Sequence, residues 1–142
     1  MARNTYTIFD IPEPISKLER WTGLASKFDQ IIGFTFFGDF FLRNSETKQF
    51  AILYTIDPEL VPLEIDKLDL FEEQYLLHAT PQETLLKPER IAAIERRIGK
   101  LAANQVYIPE PYPFLGGDCS VESYSKGDVW VYAELVGSMQ GV

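Results

Sequence analysis

Histidine and cysteine are nearly missing from this chain, which has one of each, His78 and Cys119. A single cysteine excludes an internal disulfide, and such sparing use fits a reducing compartment. One of each also excludes a zinc cluster built from several Cys and His ligands. A triad of nucleophile, base and orienting group would have to use His78, which follows Leu76-Leu77 near an expected helix end. The plainer reading is a structural or surface histidine. Cys119 reads as a small core residue, because no base stands beside it in sequence to favour a thiolate.

Long apolar runs are missing too. The longest, Ile31 to Gly38, stops at Asp39, far short of the ~20 residues a membrane helix needs. The N-terminus, Met1 to Thr7, has no apolar stretch of the secretory type. Together these point to a cytosolic protein with no membrane partner. Gly116-Gly117 matches neither of the common phosphate-cradling patterns, and no acid spacing matches a calcium loop. Basic residues are outnumbered, 13 against 21 acids, for a formal charge of −8. A nucleic-acid binder needs the opposite balance to displace counterions from phosphates, so direct DNA or RNA binding is not expected. The residues thus point to binding without catalysis, with no cofactor and no metal.

What the chain does have is material for a core. Its 142 residues, 46% of them hydrophobic, include ten Phe and seven Tyr. A single domain of this length buries roughly 68–70% of its unfolded surface, so residues 1–142 are expected to form one domain. Pro12 and Pro14 set off an N-terminal arm, followed by Ile15, Leu18, Trp21 and Leu24 at helical spacing, so residues 1–27 read as an arm plus a short helix. Phe28 to Asn44 carries the densest strand signal, broken at Gly38-Asp39 by an expected tight turn, and Lys48 to Thr55 reads as the return strand. A short extended piece follows near Leu60 to Leu63.

Helices are expected over about Ile65 to Leu77, with a break at Thr80-Pro81, and over about Pro88 to Ala102, where Ile91, Ile94, Ile98 and Leu101 make an apolar stripe. Gln105 to Ile108 and Cys119 to Tyr124 read as strands, separated by the proline-rich loop Pro109 to Pro113. For Asp128 to Met139 two readings compete. Asp128 suits a helix N-cap with Trp130, Ala133, Val136 and Gly137 on one face, but Val129 to Tyr132 is a run of strand formers, and strand is the reading adopted. The sum is an α+β fold, a largely antiparallel sheet with amphipathic helices packed on it.

Charge is patterned. Between Asp57 and Glu73 stand seven acids (Asp57, Glu59, Glu64, Asp66, Asp69, Glu72, Glu73) against one base, Lys67. A solvated helix face explains them without function, whereas a negative patch would steer a basic protein partner. Those seven are the candidate partner-binding residues. Lys87, Arg90, Arg96, Arg97 and Lys100 form a basic counterpart, which reads as a solvated polar face, as a mate for the acidic segment, or as a small anion site.

Three passages taken in order resemble a known family: Ile31 to Arg43 (containing Phe36-Phe37-Gly38-Asp39-Phe40-Phe41-Leu42-Arg43), then Phe50 to Tyr54, then Pro113-Phe114-Leu115-Gly116-Gly117 leading to the tail from Val129 to Val142. From about residue 28 to the end the chain resembles the C-terminal domain of bacterial type VI secretion DNase-immunity proteins. The resemblance implies a cytosolic antitoxin that binds and blocks a cognate toxin, often a nuclease. Larger members have an additional N-terminal domain where this chain has a short arm. Gly38, Asp39, Gly116 and Gly117 read as architectural, the glycines permitting turns and Asp39 capping one. Two other readings stay open: a general interaction or regulatory module without a toxin, and a small-molecule binder or enzyme with a pocket among the aromatic strands. A deep pocket holding a perturbed titratable group would favour the last.

Overall fold

The computed structural model describes residues 4–142. The aromatic run folds as expected into the middle of a five-stranded antiparallel sheet. Its strands are β1 (Tyr6–Pro14), β2 (Gln30–Thr35), β3 (Phe40–Arg43), β4 (Phe50–Tyr54) and β5 (Glu59–Pro62), which lie side by side in chain order. Alternation along the central strands sends successive side chains to opposite faces, and both faces are apolar. Phe40 and Leu42 of β3 point to one face with Ala51 and Leu53 of β4, while Phe41, Phe50 and Ile52 point to the other. A sheet buried on both sides therefore replaces the polar–apolar alternation of a half-exposed one with an almost continuous hydrophobic run.

Each face has its own cover. A 3₁₀ segment (Ile15–Trp21) and helix α4 (Val129–Met139) close the first face with Leu18, Trp21, Val129, Tyr132, Ala133 and Val136. The second is closed by two short helices, each starting as an α turn and widening to π spacing: α1 (Leu68–Leu70) running into Phe71–Leu76, and α2 (Ala79–Pro81) running into Gln82–Leu86. Phe71 is the centre of that layer, with ring centroids 5.0 Å from both Phe41 and Phe50. Helix α3 (Pro88–Ile98) packs Ile91 and Ile94 on a separate hairpin, β6 (Gln105–Pro109) with β7 (Tyr124–Asp128). The Tyr107 amide donates to Phe36 O at 2.8 Å, tying that hairpin to the end of β2. The architecture is α+β, as expected.

Four local expectations fail, each for a physical reason. The N-terminal arm is in fact edge strand β1, whose register to β2 shifts between Ile8 and Glu13. An edge strand with an irregularity is where Pro12 and Pro14 can sit without losing ladder hydrogen bonds. Thr80-Pro81 begins a helix, with Pro81 in its first turn. Residues 119–123 are not a strand: Asp118 Oδ1 accepts from Ser120 N, and Ser120 O accepts from both the amide and the hydroxyl of Ser123. Such local side-chain bonds draw the backbone away from a ladder, so the strand starts only at Tyr124. Finally, Val129 to Met139 is helical, with Asp128 Oδ1 capping the amides of Trp130 and Val131 at 2.9 and 3.0 Å. Burial of Tyr132, Ala133, Val136 and Gly137 along one face outweighs the strand preference of Val129 to Tyr132.

Candidate functional site

The densest chemistry gathers around the β2–β3 turn. Thr35 O accepts from Gly38 N, and Thr35 Oγ1 accepts from the amides of Phe37 and Asp39, so a buried threonine closes the turn. Gly38 lies at φ +88, and a Cβ there would meet the Tyr132 ring at 2.3 Å. The glycine thus serves the turn and also admits the ring of the α4 tyrosine close against it.

Asp39 does not cap its own turn. Its Oδ1 accepts the Thr55 amide at 3.0 Å and lies 3.3 Å from Thr55 Oγ1, whose proton goes to Gly38 O at 2.8 Å. The carboxyl therefore secures the end of β4. As a residue Asp39 is only half-buried, through the cavity described below, but its carboxyl is packed about by protein. Burial pushes that carboxyl from its ordinary 3.8 up to about 6, opposed by the Thr55 bonds and the Lys87 charge.

Tyr132 lies beside it. Its hydroxyl is buried and has no hydrogen-bond partner among the described residues. The Thr55 hydroxyl lies close to it, but the contact falls outside ordinary hydrogen-bond geometry. Burial, and after it the Asp39 charge, push the Tyr132 phenol up. Burial likewise pushes Tyr54 up to about 12, next to Tyr75, and raises Tyr124.

Asp39, Tyr54, Tyr124 and Tyr132 line one cavity of about 240 Å³ with Phe37, Ile56, Thr84, Lys87, Pro109, Pro113 and Cys119. Two of these, Lys87 (φ 50) and Cys119 (φ 54), hold left-handed backbone without being glycine, a conformation that costs about 1–3 kcal/mol and collects at functional sites. Lys87 joins the second π segment to α3, and its ammonium sits 5.5 Å from the Phe37 ring centroid. Arg90 donates to the Cys119 carbonyl from behind.

The seven acids are placed differently. Six are exposed, and Glu72 is half-buried, accepting from the Tyr6 hydroxyl at 2.8 Å. They do not form one compact patch. Asp57 is in the β4–β5 turn, where its amide donates to Gln140 Oε1 at the end of α4; Glu59 lies on edge strand β5. Glu64 and Asp66 flank a shallow depression beside Gln49. Asp69, Glu72 and Glu73 sit on the helical segment that crosses the second face, so Glu72 reaches β1 at the far edge. Two basic residues of α3 turn to the β7 side, where Arg90 and Arg97 donate to the carbonyls of Cys119 and Tyr124, while Arg96 lines a separate depression beside Thr5 and Phe36. His78 is exposed at the start of α2. Among the described residues no cluster of His, Cys, Asp or Glu could hold a metal, and no helix is long and apolar enough to cross a membrane.

Sequence reasoning passed over Asp39, Tyr54, Lys87, Tyr124 and Tyr132 as a group. The one available signal was an acid set between Phe37-Gly38 and Phe40-Phe41, a place where a carboxylate is carried toward the core.

Asp39 yields a pH prediction. Its folded-state value lies above the ordinary one, so the folded protein holds this proton more tightly than the unfolded chain. The associated stability is complete below about pH 4 and is lost as pH rises to about 6, by roughly 2–3 kcal/mol. Asp39→Asn keeps an acceptor for Thr55 N and removes the charge. It is expected to flatten stability over that window and to gain roughly 1–3 kcal/mol at pH 7, read by urea melts across pH. An unchanged slope in the variant would refute the assignment.

An α+β protein with a half-open, tyrosine-lined cavity around a carboxyl is the class the geometry defines. Neither a family model nor a curated protein matches the chain. Among solved structures, Atu4351 from Agrobacterium tumefaciens is similar in fold, with a TM-score of 0.62 at 15% identity over 94% of this chain. The chain spans 66% of the length of that protein.

Proposed function

We propose that this chain is a bacterial immunity protein that acts in the cytosol by binding and blocking a cognate toxin, and that it works without catalysis. The observation that carries the reading is the meeting of the three family-like passages in space. Gly38, from the first, lies under Tyr132 of the tail. The tail's Tyr132 is edge-on to Tyr112 at 6.2 Å, and Tyr112 stacks on Phe114 of the Pro113–Gly117 passage. Phe50 to Tyr54 is the strand whose end Asp39 secures. Words far apart in sequence thus belong to one physical arrangement, which supports reading them as one signature.

For the partner surface the exposed acids Glu64, Asp66, Asp69 and Glu73 are the best placed, since they lie near one another in the chain, whereas the Glu72 carboxylate accepts from Tyr6 and Asp57 lies apart in the β4–β5 turn. Affinity capture from the native cell, followed by co-expression with the captured protein, tests the role. Growth rescue from a toxic partner supports it, and capture of harmless partners alone overturns it. Reversing Asp66, Asp69 and Glu73 to lysine is expected to slow association with that partner about tenfold at low salt and less at high salt. Association rates equal to those of the unaltered chain would remove these acids from the interface.

A further inference from the structure

The cavity beneath the β2–β3 turn has an unmet chemical need. Asp39 accepts one neutral donor, the Thr55 amide, and makes no ion pair among the described residues. The neighbouring Tyr132 hydroxyl is 1% exposed as a residue and pairs with nothing among the described residues. A largely buried carboxylate with no cation in contact, only the Lys87 charge at a distance, and a buried hydroxyl without a partner are both costly arrangements. One ammonium group placed between them would answer both, donating to the carboxylate and to the phenol oxygen. The walls suit such a group, because Phe37, Tyr54, Tyr124 and Tyr132 offer ring surfaces that attract organic cations.

Lys87 defines the other end. It lines this cavity and also an open depression of about 730 Å³ beside Gln82, Glu89 and Arg90, so it stands at the boundary between the two. Its own ammonium rests over Phe37, and its charge would repel a purely cationic occupant. A molecule carrying an anionic group next to its amine would instead be attracted at both ends. The volume, about 240 Å³, falls below the roughly 300–1,000 Å³ of drug-sized sites, which sets the scale at a small metabolite. The left-handed backbone of Lys87 and Cys119 at the same rim adds strain of the kind kept where a ligand is held.

We propose that this cavity binds a small zwitterion of amino-acid size, its ammonium against Asp39 and Tyr132 and its anionic group at Lys87. The site is separate from the acidic surface and is independent of the antitoxin reading.

The full chain is to be titrated with each of the protein amino acids, with melting temperature and calorimetry as readouts. The strongest binder is then compared with its decarboxylated and deaminated forms. At least one amino acid is expected to saturate and raise the melting temperature, with both truncated forms binding at least about tenfold more weakly, the loss that removing one charge-assisted contact brings. Asp39→Asn and Tyr132→Phe, which keep shape and packing, should each weaken binding about tenfold or more. Lys87→Met should weaken the zwitterion and, by removing a like charge, tighten the amine form. Failure of every amino acid to saturate, a cavity filled by ordered water alone in crystals grown with the strongest binder, or binding indifferent to Asp39→Asn and Tyr132→Phe would each overturn the proposal. A deaminated acid that binds as well as the zwitterion would overturn it too.

Discussion

Trp21→Ala is expected to lower the unfolding free energy by about 3–5 kcal/mol, the range for removing a large aromatic from a packed core. The indole is 1% exposed and holds the 3₁₀ segment to α4 in two ways. Its Nε1 donates to Ala133 O at 3.0 Å, and its rim fills the space left by Gly137, where a Cβ would come within 3.0 Å of Nε1. Nothing small can replace that contact, because Leu18, Ala25 and Phe28 around it are themselves buried. The Arg20–Glu134 ion pair next to it is exposed on both sides and can make good only a small part of the loss. Trp21→Phe separates the contributions: it keeps most of the apolar volume and loses the hydrogen bond, so it should cost only about 1–2 kcal/mol. Urea melts with unchanged m-values check both figures. A cost below about 1 kcal/mol for the alanine variant would mean that α4 is held elsewhere, which in turn would weaken the account of how Tyr132 is positioned.

The sequence was most legible where neighbours in the chain are also neighbours in space. Phe40 and Phe41 announce a strand, and the turn at Gly38-Asp39 joins two strands that pair directly. The stripe Ile91, Ile94, Ile98 is readable because a helix face is a local object. The tail was misread because its outcome is tertiary. Val129 to Tyr132 prefers a strand by residue type, but β7 already pairs with β6 and α4 instead meets an apolar sheet face. Asp39 is the instructive case. An acid after glycine reads as turn polarity, and only the approach of Thr55, Lys87 and Tyr132 turns it into a buried carboxyl. None of those three stands next to it in sequence. The acidic run shows the converse: it is compact in sequence but distributed in space, because it passes from the edge strand β5 across a sheet face to β1.

Gly38→Ala joins the turn, α4 and the cavity in one measurement, with an expected cost of about 2–5 kcal/mol. Part of it is conformational, since an L-residue at φ +88 is strained by roughly 1–2 kcal/mol. The rest is steric. The new methyl would lie 2.3 Å from Tyr132 Cε2 and 2.7 Å from Cδ2, and the ring has little room to retreat because Tyr132 is packed among the residues of the first sheet face. Overfilling a core of this kind costs about 1–3 kcal/mol. The two parts separate in a double-mutant cycle. In a Tyr132→Leu background the ring is gone, so Gly38→Ala should there cost only its conformational share. The cycle should therefore return a coupling of about 1–3 kcal/mol, equal to the overfilling removed with the ring. An equal cost of Gly38→Ala in both backgrounds would show that backbone strain alone requires the glycine, leaving the close approach of Tyr132 incidental.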